Sequence, residues 1–538
     1  MQNDANFPDD ITALKALLIA RDTALAERNE ALAQSQHQVT ELTQALSSRE
    51  LQIEALQLQI MALRRRQFGR KSEQLDGQIN QLELKLEELQ TDEGQSLPPE
   101  AEEAPKKRAA RPARKPLPEH LPRDVQEHLP EDIACPSCGS ALARLGEDVS
   151  EMLEYIPASF KVIRHVRPKL GCTCCDCIVQ APAVSRPIAR GLAGPGLLAH
   201  VMVAKFCDHL PLYRQSQIYA REGVDLERST LADWVGGTSR LLRPLVEALQ
   251  RHVMAGAKLH ADDTPIPVLA PGLGKTATAR LWVYVRDDRP AGQSVPPAVW
   301  FAYSSNRKGE HPQEHLAQFK GTLQADGYAG YDKIYLTKPI REAACWAHVR
   351  RKFYDLEQAR ASPIAREALR RIGQLYGIEA EIRTRPPDIR LAIRQAQARP
   401  LLDDFRDWLM RSLSTLSAKS TTAGAIQYAL NRWEALLTYA ADGLVEIDNN
   451  AAERALRGVA LGRKNYLFAG SDSGGERAAA IYSLTESAKL NGLDPEAYLR
   501  HVITHIADHP VNKVGDFLPW NVVMPTTPAT SSGGKSHP

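Results

Sequence analysis

The 538-residue sequence predicts a multidomain α/β protein, and three observations carry that prediction. Apolar residues recur at every seventh position from Ile11 to Ile60, cysteines crowd between Cys135 and Cys177, and a strand-rich segment from Lys258 gives way to a long helical one. A chain of this length exceeds what one hydrophobic core usually serves, so several structural units are expected.

The first unit reads as a coiled coil over residues 11–90. Ile11, Leu18, Leu25, Leu32, Val39, Leu46, Ile53 and Ile60 form an unbroken heptad row. The companion row, Leu14, Arg21, Arg28, Ser35, Leu42, Arg49, Leu56 and Leu63, is mixed. A complete apolar row beside a broken one makes a seam whose polar interruptions set register and partner number, so a homo-oligomer is expected. A second stripe, Leu75, Ile79, Leu82, Leu86 and Leu89, either folds back on the first helix or extends the oligomer. Residues 91–118 are rich in Pro, Glu, Lys and Arg and read as a disordered basic linker.

Charge distribution says more than net charge, which is only +2. RRRQFGRK (Arg64 to Lys71) and KKRAARPARK (Lys106 to Lys115) are local basic stripes of the kind that neutralise phosphates. The opening MQNDANFPDD has no basic segment followed by an apolar one, and no apolar run approaches the roughly 18 residues that span a bilayer. A cytoplasmic protein with no membrane partner is expected.

Six of the eight cysteines lie between Cys135 and Cys177, which favours a metal site over a disulfide framework in a chain without an export signal. CPSC (Cys135, Cys138) and CTCCDC (Cys172 to Cys177) each supply a C-x-x-C turn, defining a zinc-binding unit at 119–185. The second turn is ambiguous, because Cys172/Cys175 and Cys174/Cys177 share the spacing; Cys135, Cys138, Cys172 and Cys175 are the working set. Four sulfurs leave no open position, so this zinc would be structural.

Residues 195–247 read as short helices around Gly223, with Ser229 as an N-cap, in a helix-turn-helix-like DNA-binding arrangement. From Lys258, the runs KLHADDTPIPVL, RLWVYVRDD, PAVWFAYS and TLQADGYAGYDKIYL suggest successive strands of one sheet. They open a core spanning 256–490, with a helical insertion at about 344–440. The segment EIDNNAAERALRG then starts a helix after an Asp/Asn cap. A C-terminal region covers 491–524, and the tail at 525–538 reads as disordered.

Asp262 lies in the first of these strands, Asp326 ends a later one, and Glu453 sits one turn into the helix opened by DNN. Two carboxylates at strand positions and a third on a helix can converge to hold divalent cations. Hard oxygen ligands suit Mg2+ or Mn2+, and a pair of ions about 4 Å apart clamps both oxygens of an in-line displacement at phosphorus. The separations are 64 and 127 residues, and the second is long enough to contain the helical insertion. Carboxylates are common, however, and placement alone does not single these out. Asp332 and Asp448 compete, with ready readings as a turn residue and a helix cap.

The segments HADDTP, QADGYAGYDKIY, CWAHVRRKF, DNNAAERALR, GRKNYLFAGS and LNGLDPEAYL, in this order, resemble the blocks of the insertion-sequence-66 family of bacterial transposases. RRRQFGRKSEQL, the CPSCG–CTCC region and FLPW near Trp520 extend the resemblance from about residue 11 to residue 521. It implies a ribonuclease-H-like core with an Asp-Asp-Glu triad, matched block by block to Asp262, Asp326 and Glu453. The family usually has Glu after the first Asp, where this chain has Asp263. The implied activity is metal-dependent cleavage of transposon ends, followed by transfer of a DNA 3′-hydroxyl into target DNA. Implied partners are end and target DNA and accessory proteins of the same element, with association to the nucleoid when bound.

CWAH pairs Cys345 with His348 at a zinc-like spacing, but no second ligand pair lies nearby in sequence, so a structural or DNA-proximal role is expected. Arg350, Arg351 and Lys352 beside it, and Arg463 and Lys464 after Glu453, are the candidate phosphate contacts. The rival reading is a non-catalytic, zinc-containing DNA-binding regulator of a mobile element; it leaves the strand-rich core unexplained.

Overall fold

The computed structural model describes residues 117–524, apart from 131–133, 135–137, 139, 157–158, 173, 175–176, 189–190, 270–275, 360 and 466–468, with a few positions between Arg28 and Leu82. At 463–465 only the backbone is described. Two compact units are distinguished, Met1–Leu89 and Gln90–Pro538. In the first, Leu56 and Ile60 are buried, with Ile53 and Leu82 packed against them. Leu82 of the second apolar stripe thus lies against residues of the first. The rest of the heptad row, both basic stripes, the linker and the tail after residue 524 lie outside the described residues.

The second unit begins with a four-stranded sheet: β1 (Arg123–Glu127), β2 (Leu142–Ile156), β3 (Ser159–Cys172) and β4 (Ile178–Gln180). β2 and β3 form one long antiparallel hairpin in which Leu142 pairs with Cys172 and Ile156 with Ser159. At the hairpin's other end, Leu153, Phe160 and Val162 join the main core. Buried Glu154 accepts the backbone N–H groups of Gly196 (3.2 Å) and Leu197 (2.7 Å), the first turn of α1 (Pro195–Phe206). A carboxylate there satisfies donors that no helical carbonyl can reach, and Pro195 at the first position has no N–H to satisfy.

The helix-turn-helix-like region expected at 195–247 falls on α1, α2 (Leu212–Arg221) and α3 (Arg228–Met254). These helices share one core with the next sheet. The sequence pattern explains this: α1 is apolar on nearly every side, and a helix without a polar face must be buried all round. Ser229 lies within α3 rather than at its cap; the cap residue is Glu227.

The central sheet is built from β5 (Lys258–Leu269), β6 (Thr276–Arg286), β7 (Ala298–Ser304), β8 (Gly321–Gln324) and β9 (Ile340–Ala343), in the order β7-β6-β5-β8-β9. β5, β6 and β7 pair antiparallel, while β8 and β9 run parallel to β5. Alternation along β6 assigns the faces. Trp282 and Tyr284 pack with α1, α3 and α14 (Pro495–His505). Leu281, Val283 and Val285 pack with α12 (Asn450–Asn465) and α13 (Asp472–Leu490).

Between β9 and α12 the chain builds a second, wholly helical core. It contains α6 (Trp346–Ala359), α7 (Pro363–Glu381), α8 (Pro387–Ile393), α9 (Arg399–Ser414), α10 (Thr421–Asn431) and α11 (Trp433–Ala441), the short helices α4 (Glu310–His315) and α5 (Asp332–Thr337) having come before. Its entry and exit are stitched together: Ala344 N–H bonds Ala435 O at 3.0 Å, and Trp346 N–H bonds Ile447 O at 3.1 Å. The insertion therefore leaves the sheet and returns to the same place. Among the described residues, no helix is long and apolar enough to cross a membrane.

Candidate active site

Adjacent residues on β5 face opposite sides, and this separates Asp262 from Asp263. Asp263 is directed into the protein, its side chain fully buried. It accepts from Arg280 Nη1 at 2.9 Å and from Arg307 Nε and Nη2 at 3.1 and 2.8 Å. Asp262 lies on the α12 face, accepts the N–H of Asp263 at 2.7 Å and makes no ion pair among the described residues. Burial pushes its carboxyl up to about 7, and the charges of Asp326, Asp263 and Glu453 add to the shift. Asp326 and Glu453 are thus near enough to Asp262 for their charges to act on its carboxyl.

Asp326 follows β8, where the parallel strand ends and the chain turns. Burial raises its carboxyl, and the charge of Asp263 adds to this, while Arg307 (Nη2 to Oδ2, 3.7 Å) and His348 oppose it. Its Oδ1 is buried with no hydrogen-bond partner. Hard oxygen donors, one of them orphaned, are of the kind that suits a divalent cation, although among the described residues Asp262, Asp326 and Glu453 do not close to within 4.8 Å of one another as the cysteines do.

Glu453 is carried by the first turn of α12, whose position depends on Asn449, fully buried. The amide of Asn449 donates to Ala261 O at 2.8 Å and accepts from His260 Nδ1 at 3.0 Å. Its backbone N–H reaches Cys345 Sγ at 3.2 Å. The residue before Asp262 and the start of the CWAH segment are thereby fastened to the start of the helix that bears Glu453. Burial lowers His260 to about 3, so its ring is neutral, and pushes the Cys345 thiol up to about 11. In sequence, Asn449 read only as part of a cap.

CWAH supplies two different things. Cys345 accepts the Asn449 N–H, while His348 places Nε2 at 3.8 Å from Glu453 Oε1. Among the described residues the pair joins no metal-ligating cluster. A cleft of about 400 Å³ opens beside Glu453, lined by His348, Arg350, Arg351, Tyr354, Tyr376 and Asn450. Two of the predicted phosphate contacts, Arg350 and Arg351, therefore face the cleft. Lys352 turns elsewhere, over the Tyr428 ring at 4.5 Å, beside Thr421 and Gly424. The side chains of Arg463 and Lys464 lie outside the described residues. Arg307, which sequence reasoning missed, joins Asp263 to Asp326 and stacks on Tyr328 at 4.1 Å.

The cysteines gather at the open end of the β2–β3 hairpin. Sγ atoms of Cys138, Cys172 and Cys174 all lie within 4.8 Å of one another, and Cys138 and Cys172 are 3.4 Å apart. Tetrahedral zinc with bonds of about 2.3 Å holds its sulfurs about 3.8 Å apart, so the cluster fits that ion. Pairing of Leu142 with Cys172 is what joins cysteines so distant in sequence. Cys174, set aside in the working set, belongs to the cluster; Cys135 and Cys175 lie outside the described residues.

Residues 190–477 match the Transposase IS66 family, and 132–176 match the zinc-finger binding domain of transposase IS66. Residues 55–125 match Transposase C of IS166 homeodomain, and 483–520 match the IS66 C-terminal element. Three proteins of Sinorhizobium fredii are similar along most of their length. Uncharacterized protein y4hP is 45% identical over 427 residues, 76% of this chain and 77% of the relative. Uncharacterized protein y4qI is 40% identical over 423 residues, 77% and 78%. Uncharacterized protein y4jD is 39% identical over 414 residues, 75% and 81%. On these matches, the chain belongs to the IS66 family of transposases.

Proposed function

We propose that the chain is a DNA transposase that cleaves the ends of its mobile element and transfers the resulting 3′-hydroxyl into target DNA. The observation that carries this is the convergence of Asp262, Asp326 and Glu453, from β5, the end of β8 and the first turn of α12, into a site where Asp262 feels both other charges. The sheet order β7-β6-β5-β8-β9, with three antiparallel strands followed by two parallel ones, supports a ribonuclease-H-like core. Bound between the carboxylates, Mg2+ or Mn2+ would polarise the scissile phosphate and lower the pKa of the attacking hydroxyl. Asp262, Asp326 and Glu453 would hold that charge, with His348 Nε2 3.8 Å from Glu453 and Arg307 lying between Asp326 and the buried Asp263. No side chain serves as nucleophile: water attacks first and a DNA 3′-hydroxyl second.

Zinc held by Cys135, Cys138 and cysteines of the second knuckle would brace the hairpin for contact with DNA. The N-terminal helices would assemble protomers, and accessory proteins of the element would complete the complex. The test is excision and integration in cells, with neighbouring reading frames supplied, comparing wild type with Glu453→Gln. Gln retains size and hydrogen bonding but loses the charge. Transposition should fall at least about 100-fold while protein level and DNA binding persist, the scale expected when an electrostatic contributor at a reacting phosphate is removed. Normal transposition by Glu453→Gln would overturn the assignment and favour a regulator.

A further inference from the structure

We infer that the cleft beside Glu453 is a pocket for one unstacked nucleotide of the DNA strand next to the scissile phosphate. The inference rests on the transposase reading and adds a substrate subsite to it. At about 400 Å³ the cleft has the size of sites that enclose a single small-molecule group, about 300–1,000 Å³. Its walls come from two different parts of the fold. α6 contributes His348, Arg350, Arg351 and Tyr354, α7 contributes Tyr376, and α12 contributes Asn450 and Glu453.

The lining matches a nucleotide in chemistry as well as size. Aromatic faces accept any base, and guanidinium groups serve both phosphate and the base plane. Tyr354 is exposed, with the Arg350 guanidinium 5.9 Å from its ring centre. Tyr376 is half-buried beside Asp448. Asn450 Nδ2 is committed to Asp448 Oδ2 at 2.8 Å. The α12 wall of the pocket is therefore held in place before any ligand arrives.

Position decides the ligand. Glu453 belongs both to the cleft and to the carboxylate group, so a strand whose phosphate meets the carboxylates delivers a neighbouring nucleotide to the cleft mouth. A base stacked in duplex presents only its edge to the cleft, so a base whose face meets the ring of Tyr354 or Tyr376 must leave the stack. The helical insertion thereby gains a role in substrate binding. α6 and α7 turn an open carboxylate site into one that holds the strand on one side of the reacting phosphate.

Photocrosslinking of the full chain tests this. The probes are duplexes of the element's own terminus carrying 5-iododeoxyuridine at successive positions across the cleavage junction, bound with Ca2+ so that cleavage does not intervene. Adducts at Tyr354 or Tyr376 from one position flanking the junction are expected. Tyr354→Ala should lower their yield at least fivefold, and Tyr354→Phe should restore it. Tyr354 is exposed, so its truncation leaves the core intact. Adducts elsewhere, or a pattern unchanged by Tyr354→Ala, would overturn the pocket. Asp262→Asn, which does not line the cleft, separates the two readings. It should abolish strand joining while the adduct persists. Joining that survives Asp262→Asn would sink the catalytic assignment and leave the adduct to decide the pocket.

Discussion

At the scale of single residues, the carboxylate site is a region of stored repulsion. The carboxyl of Asp262 sits near 7 in the folded chain, raised by burial and then by neighbouring negative charge, against about 3.9 when unfolded. Between those values the folded state keeps a proton that the unfolded state has lost. Stability of the chelator-treated protein therefore falls as pH rises from about 4 to about 7, and the penalty is complete above that. Asp262→Asn removes the titration. Its melting temperature in EDTA should exceed that of wild type by a few degrees at pH 8, with the gap closing by pH 4, and saturating Mg2+ should raise wild type alone. A gap independent of pH would contradict the assigned cause. Asn449 is the reverse case, a buried polar group with its partners satisfied. Asn449→Ala leaves Ala261 O and His260 Nδ1 without partners and should destabilise by about 2–6 kcal/mol in urea denaturation, at roughly 1–3 for each orphaned group. Strand joining should fall further than the folded fraction does, because Glu453 loses its anchor.

At the scale of elements, two contacts decide whether the sheet and the insertion hold their places. β7 is an edge strand, and α13 covers its exposed N–H groups: Ser487 Oγ accepts from Val299 at 3.0 Å and Ser483 Oγ from Phe301 at 2.8 Å. An edge so covered cannot pair with another chain. The insertion is pinned by a π-turn at Arg394–Ala398, which directs the Arg394 side chain inward. Fully buried, it bonds Glu379 at 2.8 and 2.6 Å and donates to the carbonyls of Tyr439 and Asp442 at 2.7 and 2.8 Å. Arg394→Ala leaves Glu379 as a buried charge without its main partner, a loss of about 3–5 kcal/mol. Because Arg394 touches no carboxylate of the site, the expected signature is an early melting transition of the insertion. A single unshifted transition would show that the network is dispensable.

At the scale of the whole molecule, the β2–β3 hairpin has two ends with different fates. Leu153 and Phe160 anchor one end in the main core, and the cysteines close the other. Zinc removal should therefore fray the cysteine end alone. Cys138→Ser is expected to lose the bound zinc, measured by elemental analysis, and most affinity for the element terminus, while the main melting transition moves by only a few degrees. Collapse of the whole fold on losing zinc would place the ion in the core's support. The shared core also means that α1, α3 and α14, from opposite ends of the second unit, stabilise the same sheet face as a single body.

The sequence by itself supplied the ingredients: the strands after Lys258, the helical run that follows them, the clustered cysteines and the candidate carboxylates Asp262, Asp326 and Glu453. Each announces itself through local patterning or through motif resemblance, which need no knowledge of distant contacts. Tertiary structure alone decided how they meet. Asp262 and Asp263 are told apart in sequence only by the motif resemblance, and the pairing of β5 with β6, together with the arrival of Arg280 and Arg307, makes one a buried partner and leaves the other facing α12. Residues 195–247 read as a helix-turn-helix-like region, and the core they share with the sheet stayed hidden, because local periodicity records which face is apolar but not what covers it. Asn449 and Cys345 looked like a cap and half a metal site, because their partners lie about 190 and 100 residues away. Polar contacts of that range depend on the final positions of whole elements, and no local pattern encodes them.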